Sequence, residues 1–249
     1  MRFPSPLIPG RLIRRYKRFL ADIDVDGVGE VTVHCPNPGS MMGLDAAGLR
    51  VWVEPAKAGA KLPFAWRLAE LPGGHWAGID TAVPNRVVKE ALLARAVPEL
   101  AAYGTVRPEV KYGERSRVDF VLSEPGWPDA YVEVKNVHLL RRGDLAEFPD
   151  CVTDRGARHL AELAAMVATG HRAVMLFLVQ RTDCARFALA ADLDPAYARA
   201  HAAATAAGVE TIVYDTAISP EGVTLRHPLP CETGDLLPVG LFRGLTDRR

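Results

Sequence analysis

The sequence predicts a mixed α+β fold: a small N-terminal β-barrel over residues 1–82, then a mixed sheet flanked by helices over 83–249. Three observations carry this prediction. The first 82 residues hold four or five short strand-like runs and no helical periodicity, which suits a small barrel. From residue 84 to 215 the order changes to α-β-β-β-α-β-α-β. Within that part AVMLFLVQ (173–180) is a continuous apolar run, as expected of a strand buried on both faces.

In the barrel, RLIRRYKRFLADIDV (11–25) reads as one long strand with acids at alternating positions, Asp22 and Asp24, followed by Asp26. GEVTVHC (29–35), LRVWVEP (49–55) and PFAWRLAEL (63–71) supply the other strands. Asp26-Gly27 suits the hairpin turn after the first, and HCPNPGSMMG (34–43) has the Pro and Gly of a loop. Pro84-Asn85 starts a helix with Val87, Val88, Ala91 and Leu92 on one side. Strands follow at about 105–112, 117–123 and 130–138. A second helix spans Thr153 to Thr169, with Thr153 or Asp154 as its cap, Gly170 as its stop, and a stripe of Ala157, Leu160, Leu163, Ala164 and Val167. A third runs over 194–208, with Pro195 early and Gly208 at its end, before the last strand, VETIVYD (209–215).

Composition sets limits on function. The 30 basic and 30 acidic residues balance, so any attraction to nucleic acid must be local. Cys35, Cys151, Cys184 and Cys231 are far apart with no CxxC pair, which argues against a cysteine zinc site and predicts a reducing cytoplasm. MRFPSPLIPG lacks the apolar core of a signal peptide, and no run is long enough to span a bilayer. Of the basic residues only six are lysines, and none follows Lys135.

Chemistry concentrates in VDFVLSEPGWPDAYVEVKNV (118–137). Asp119 sits in an otherwise apolar strand, where an unpaired carboxylate would be costly. Alternation puts Glu133 and Lys135 on one face of the next strand. If the connecting loop is symmetric about Gly126, paired residues sum to 252 and Asp119 faces Glu133. Two carboxylates can hold Mg²⁺ or Mn²⁺, and a lysine can stabilise charge on a phosphoryl group; metal-assisted phosphodiester hydrolysis needs these parts. The same triplet also suits a buried ion pair in which Lys135 neutralises either acid. The short spelling is weak, because Glu109-Val110-Lys111 repeats it; Lys111 is a secondary candidate near the site.

FPDCVTDRGARHL (148–160) opens the second helix, whose free N–H groups favour anions. Arg155 and His159, four apart and off the apolar stripe, suit a phosphate clamp, although a solvated basic face has the same spelling. Asp150 and Glu90 are weaker candidates for further carboxylates. At the N-terminus, residues 1–20 carry Arg2, Arg11, Arg14, Arg15, Lys17 and Arg18 with no acid, and Tyr16 and Phe19 lie among them. Basic residues interleaved with rings suit single-stranded nucleic acid better than a merely protected strand edge.

RYKRFLADI (15–23), HCPNPGSMMG (34–43), YGERSRVDFVL (112–122), YVEVKNVHL (131–139) and FPDCVTDRGARHL (148–160) together resemble the sugar fermentation stimulation protein A family over almost the whole chain. The resemblance implies an OB-like barrel followed by a PD-(D/E)XK, restriction-endonuclease-like domain. It also implies a bacterial DNA-binding protein of weak sequence preference, associated with maltose metabolism. It aligns Asp119, Glu133 and Lys135 with the metal-binding acids and lysine of that nuclease superfamily, and Asp150, Arg155 and His159 with the family's FPD…RG..HL stretch. Asn136-Val137-His138 and Arg158 depart from the expected spelling. The expected function is therefore DNA binding with a nuclease-type metal site; the alternative is a non-catalytic DNA-binding regulator.

Overall fold

The computed structural model describes residues 1–113 and 116–232; Glu114 and Arg115 of the YGERSR motif, and residues 233–249 of the predicted second domain, lie outside the described residues. The N-terminal part is built from β1 (Ile8–Tyr16), β2 (Leu20–Val25), β3 (Gly29–His34), β4 (Arg50–Pro55), β5 (Phe64–Leu71) and β6 (His75–Gly78). Their order is β3-β2-β1-β4-β5-β6, and a β3–β5 pairing at His34 and Ala65 closes the first five into a barrel. Its core is the inward-facing set of the alternating strands: Leu12, Ile23, Val33, Val51, Val53 and Trp66.

The predicted long strand over 11–25 is two strands. The chain reverses at Lys17-Arg18, both in the left-handed region (φ 49° and 62°), and Tyr16 pairs with Leu20. No glycine or asparagine marks this turn, so the sequence does not announce it. The Asp26-Gly27 turn is present, joining β2 to β3, with Gly27 at φ 76°.

The second part opens with α1 (Val83–Leu93), which starts just before Pro84-Asn85. Next come β7 (Thr105–Tyr112), β8 (Ser116–Ser123), β9 (Ala130–Val137), the hairpin β10 (Leu139–Arg142) and β11 (Leu145–Phe148), and α2 (Asp154–Ala168). Then follow β12 (Arg172–Val179), β13 (Arg186–Leu189), α3 (Pro195–Ala206), β14 (Glu210–Ser219), β15 (Gly222–Pro228) and β16 (Cys231–Glu232). The main sheet has the order β15-β14-β12-β9-β8-β7. Strands β9, β12 and β14 are parallel to one another, joined by helical crossovers, while β7, β8 and β15 are antiparallel to their neighbours. As predicted, β12 lies between two parallel strands, and its residues from Ala173 to Val179 are fully buried.

Helix α1 covers one face of this sheet, with Val87 and Val88 against Phe120, Val132 and Leu176. Helices α2 and α3 cover the other, with Leu160, Leu163 and Tyr197 against Val121, Met175 and Phe177. Thr153 caps α2 by accepting from the Gly156 N–H (3.1 Å), so Asp154 is the first helical residue and not the cap. A small sheet of order β10-β11-β13-β16, absent from the sequence prediction, packs Ala146 and Phe187 into the α2–α3 core. Barrel and sheet also touch directly: Gly78 donates its N–H to the Gln180 carbonyl (2.8 Å), and Thr182 donates to the Trp76 carbonyl (3.0 Å).

Candidate functional site

Three of the predicted residues, Asp119, Glu133 and Lys135, lie where two strands of the main sheet part. Strands β8 and β9 pair as Leu122↔Ala130, Val121↔Tyr131 and Phe120↔Val132, so each pair sums to 252 as loop symmetry about Gly126 requires. The ladder stops there, one residue short of Asp119 and Glu133. With no strand partner opposite, the Val134 N–H needs another acceptor, and Asp119 Oδ2 supplies it (2.7 Å). Asp119 Oδ1 accepts from Asn85 Nδ2 (2.6 Å), which α1 brings over the sheet in its first turn. Asn85 was not among the predicted residues. Its signal was a polar side chain flanked by the buried Val83, Pro84, Val87 and Val88.

Glu133 and Lys135 share the other face, as alternation predicts. Lys135 Nζ donates to Glu133 Oε1 at 2.7 Å, and His159 Nδ1 makes a short hydrogen bond to the same oxygen. Glu133 Oε2 is buried and has no hydrogen-bond partner among the described residues. Burial, and then the charge of Glu133, push the Asp119 carboxyl up to about 6, against the pull of the Val134 N–H, Asn85 and Lys135. Burial also works to raise Glu133, but His159 and Lys135 outweigh it and hold Glu133 below its ordinary value. The pair therefore splits: Glu133 stays charged and Asp119 is the first to take a proton.

This arrangement fits a hard divalent cation. A buried carboxylate oxygen without a donor and a neighbour whose ionisation is suppressed by burial and then by repulsion are both relieved by positive charge. Among the described residues no group of three or more His, Cys, Asp or Glu is gathered for a metal. Asp119 and Glu133 would thus be the side-chain ligands, leaving other positions to water and substrate oxygens, the mode that Mg²⁺ prefers.

The other predicted residues divide clearly. His159 is only 3% exposed and bonded to Glu133, so it is no surface phosphate clamp. Arg155 is exposed and donates from Nε to His159 Nε2 (3.3 Å). Asp150 is not with Asp119 and Glu133. It pairs with His138 Nε2 (3.3 Å) and accepts from the Met41 N–H (3.3 Å) and Ser40 Oγ, tying the barrel's 34–43 loop to the segment before α2. The His138 contact holds Asp150 well below the carboxylate range in spite of its burial. Glu90 pairs with the Met1 amino group (2.7 Å) instead of joining the site. Lys111 is exposed on β7 opposite Arg117, and Glu109 is exposed beside it, so the second Glu-Val-Lys forms no buried cluster.

The basic N-terminus narrows to its tip. Arg15 reaches inward and donates to the carbonyls of Arg18 (3.1 Å), Asn37 (2.9 Å) and Gly39 (2.8 Å), shaping the 34–43 loop, so it is not free for a phosphate. Arg14 Nε pairs with Asp22 (2.7 Å) and its guanidinium lies over the Tyr16 ring, whose hydroxyl also donates to Asp22 (3.0 Å). Lys17 and Arg18 project from the turn, and Phe19, 48% exposed, stacks on the exposed His34 (6.5 Å between centroids). His34 was not predicted; its place directly across from Leu20, next to Phe19, becomes visible only with the hairpin register. No described helix is long and apolar enough to cross a membrane.

A closed five-stranded barrel joined to a mixed sheet with paired carboxylates at a strand fork defines an OB-barrel protein with a restriction-endonuclease-type domain. Family models agree: "SfsA N-terminal OB domain" matches residues 13–79, and "Sugar fermentation stimulation protein RE domain" matches 82–222. The chain belongs to the sugar fermentation stimulation protein family. It is 63% identical over 240 residues to the sugar fermentation stimulation protein homolog of Dinoroseobacter shibae, covering 96% of this chain and 98% of that one. It is also 63% identical over 230 residues to the homolog of Ruegeria pomeroyi, covering 92% and 100%. The structure of Pyrococcus furiosus SfsA in complex with Ca²⁺ superposes with a TM-score of 0.84 at 27% identity, covering 94% of this chain and 98% of that one.

Proposed function

We propose that this protein binds DNA, with RNA as a second candidate, and hydrolyses phosphodiester bonds at a divalent-cation site formed by Asp119 and Glu133. The observation that carries the reading is the strand fork. Half-buried Asp119 and buried Glu133 flank it with Lys135, and one carboxylate oxygen, Glu133 Oε2, has no partner among the described residues. A protein that only binds nucleic acid gains nothing from buried acids that repel phosphate. The Ca²⁺ complex of the solved relative supports a divalent cation in this family, and the donor set favours Mg²⁺ or Mn²⁺ as the working ion.

When bound, such a cation neutralises phosphate charge and lowers the pKa of water. The chain's own groups do the rest. Asp119 is fixed by the Val134 N–H and Asn85, so it cannot swing away from its neighbour. Lys135, with its side chain 13% exposed, is held at Glu133 Oε1 and presents the remaining ammonium hydrogens to a phosphoryl oxygen or a water. Arg155 is exposed at the first turn of α2 and offers its outer guanidinium nitrogens to the backbone. On the barrel, Lys17 and Arg18 supply phosphate contacts and the Phe19–His34 stack a surface for a base.

The test is cleavage of single- and double-stranded DNA and RNA with Mg²⁺, Mn²⁺ or EDTA, beside Asp119→Asn and Lys135→Ala. Cation-dependent cleavage should fall at least about 100-fold in each variant. Cleavage that persists equally in both would refute the assigned site. Tight, salt-sensitive binding without cleavage of any substrate would favour the non-catalytic regulator.

A further inference from the structure

The imidazole of His159 touches three charged side chains, and together they admit only one tautomer. Arg155 Nε always carries a proton, so at 3.3 Å from His159 Nε2 it is the donor and Nε2 must be bare. The short contact between His159 Nδ1 and Glu133 Oε1 joins a nitrogen to a carboxylate, so Nδ1 must hold the proton. The Nε2–H tautomer would set two N–H groups against each other at Arg155 and a lone pair against Glu133. Lys135 Nζ lies 3.3 Å from Nδ1 because both nitrogens point at the same oxygen.

Glu133 is left divided. Oε1 receives two donors, Lys135 Nζ and His159 Nδ1, which use its two lone pairs. Oε2 receives none from the described residues and is buried. A carboxylate with one donor could rotate and share it between both oxygens. Two donors from different elements, one on β9 and one on α2, fix the plane of the group. We propose that His159 is a positioning residue: locked as the Nδ1–H tautomer by Arg155, it clamps Glu133 Oε1 and so commits Oε2 to a divalent cation. This assignment rests on the cation-site reading above. It replaces the phosphate-clamp role that the sequence suggested, and it links the exposed Arg155, a phosphate contact, to a metal ligand through a single ring.

The experiment uses the full chain and Ca²⁺ alone, followed by calorimetric titration, so that no cleavage is needed. His159→Leu removes the donor; His159→Asn keeps an N–H close to the Nδ1 position. The expected result is Ca²⁺ affinity reduced about 10–100-fold in His159→Leu and kept within a few-fold in His159→Asn. Parental affinity in His159→Leu, with Asp119→Asn still losing Ca²⁺, would overturn this proposal alone. A parent chain that takes no Ca²⁺ would overturn the cation site and this inference with it. Should His159→Leu not fold, the parent itself decides through its imidazole ¹⁵N–¹H spectrum. A ring protonated at Nδ1 and bare at Nε2 supports the clamp, and a proton on Nε2 overturns it.

Discussion

Asp119→Asn should make the cation-free protein more stable at pH 8. The Asp119 carboxyl is raised from 3.8 to about 6, first by burial and then by Glu133. A raised acid favours the folded state fully below its unfolded pKa, and that advantage is lost as pH rises through about 6. Above this, ionised Asp119 costs the folded chain about two pKa shifts' worth, or ~3 kcal/mol. Asparagine has the same shape without the charge. Its carbonyl can accept from the Val134 N–H, and the Asn85 amide can turn to accept from its NH₂ group, so both contacts survive in weaker, neutral form. The net gain is therefore about 1–3 kcal/mol at pH 8, shrinking to near zero at pH 4. Urea denaturation in EDTA at both pH values measures it. Adding Ca²⁺ should reverse the order, stabilising the parent and not the variant. An Asn variant less stable than the parent at pH 8 in EDTA would refute the argument, because it would mean that the charge is already compensated within the protein.

Other outcomes follow from neighbouring features. His201 is buried beside Thr211 (2.9 Å), and burial depresses its pKa to about 4. Folding stability should therefore fall by up to ~3 kcal/mol as pH drops from 6.5 to 4, and His201→Gln should remove that part of the slope in denaturation against pH. Replacing Lys17 and Arg18 by glycine relieves two left-handed residues, so stability should change by no more than about 1 kcal/mol. The same change should lower the salt slope of DNA binding by up to about 1.8, and an unchanged slope would exclude the hairpin tip. Gly39→Ala would drive a methyl group into the Asp150 carboxylate; displacing that carboxylate breaks its bonds to the Met41 N–H and Ser40, and thermal melting should register a loss of about 1–3 kcal/mol.

The sheet was legible because its signals are local and redundant. The strands expected at 105–112, 117–123 and 130–138 are present within a residue of those bounds, and the symmetric turn at Gly126 gave the pairing of Phe120 with Val132. That register ends one pair before Asp119 and Glu133, so the strand fork and the bond from the Val134 N–H to Asp119 were not legible in it. The strands β10, β11 and β13 were missed because each is only four residues long, too short for a period to show. The fate of a charged side chain was the least legible feature. In RYKRF, Arg15 and Arg18 look alike, yet one folds inward onto the Asn37 and Gly39 carbonyls and the other stands at an open turn. Likewise, off-stripe placement marked His159 as solvent-facing, while the packing of α2 over β9 buries it against Glu133. Asn85 shows the same limit: its partner lies 34 residues away, and only packing of α1 on the sheet brings the two together.

The Val134 amide gives the fork a use beyond chemistry. Its proton rests on an oxygen of the residue assigned to hold the cation, where an ordinary strand would offer it a carbonyl. One backbone nucleus is thus a single hydrogen bond from the carboxylate proposed to hold the ion. Its resonance should respond to occupancy, ion identity and Asp119 protonation in the unmodified chain, with no label placed in the site. The interruption that opens the sheet also provides a built-in reporter of what fills it.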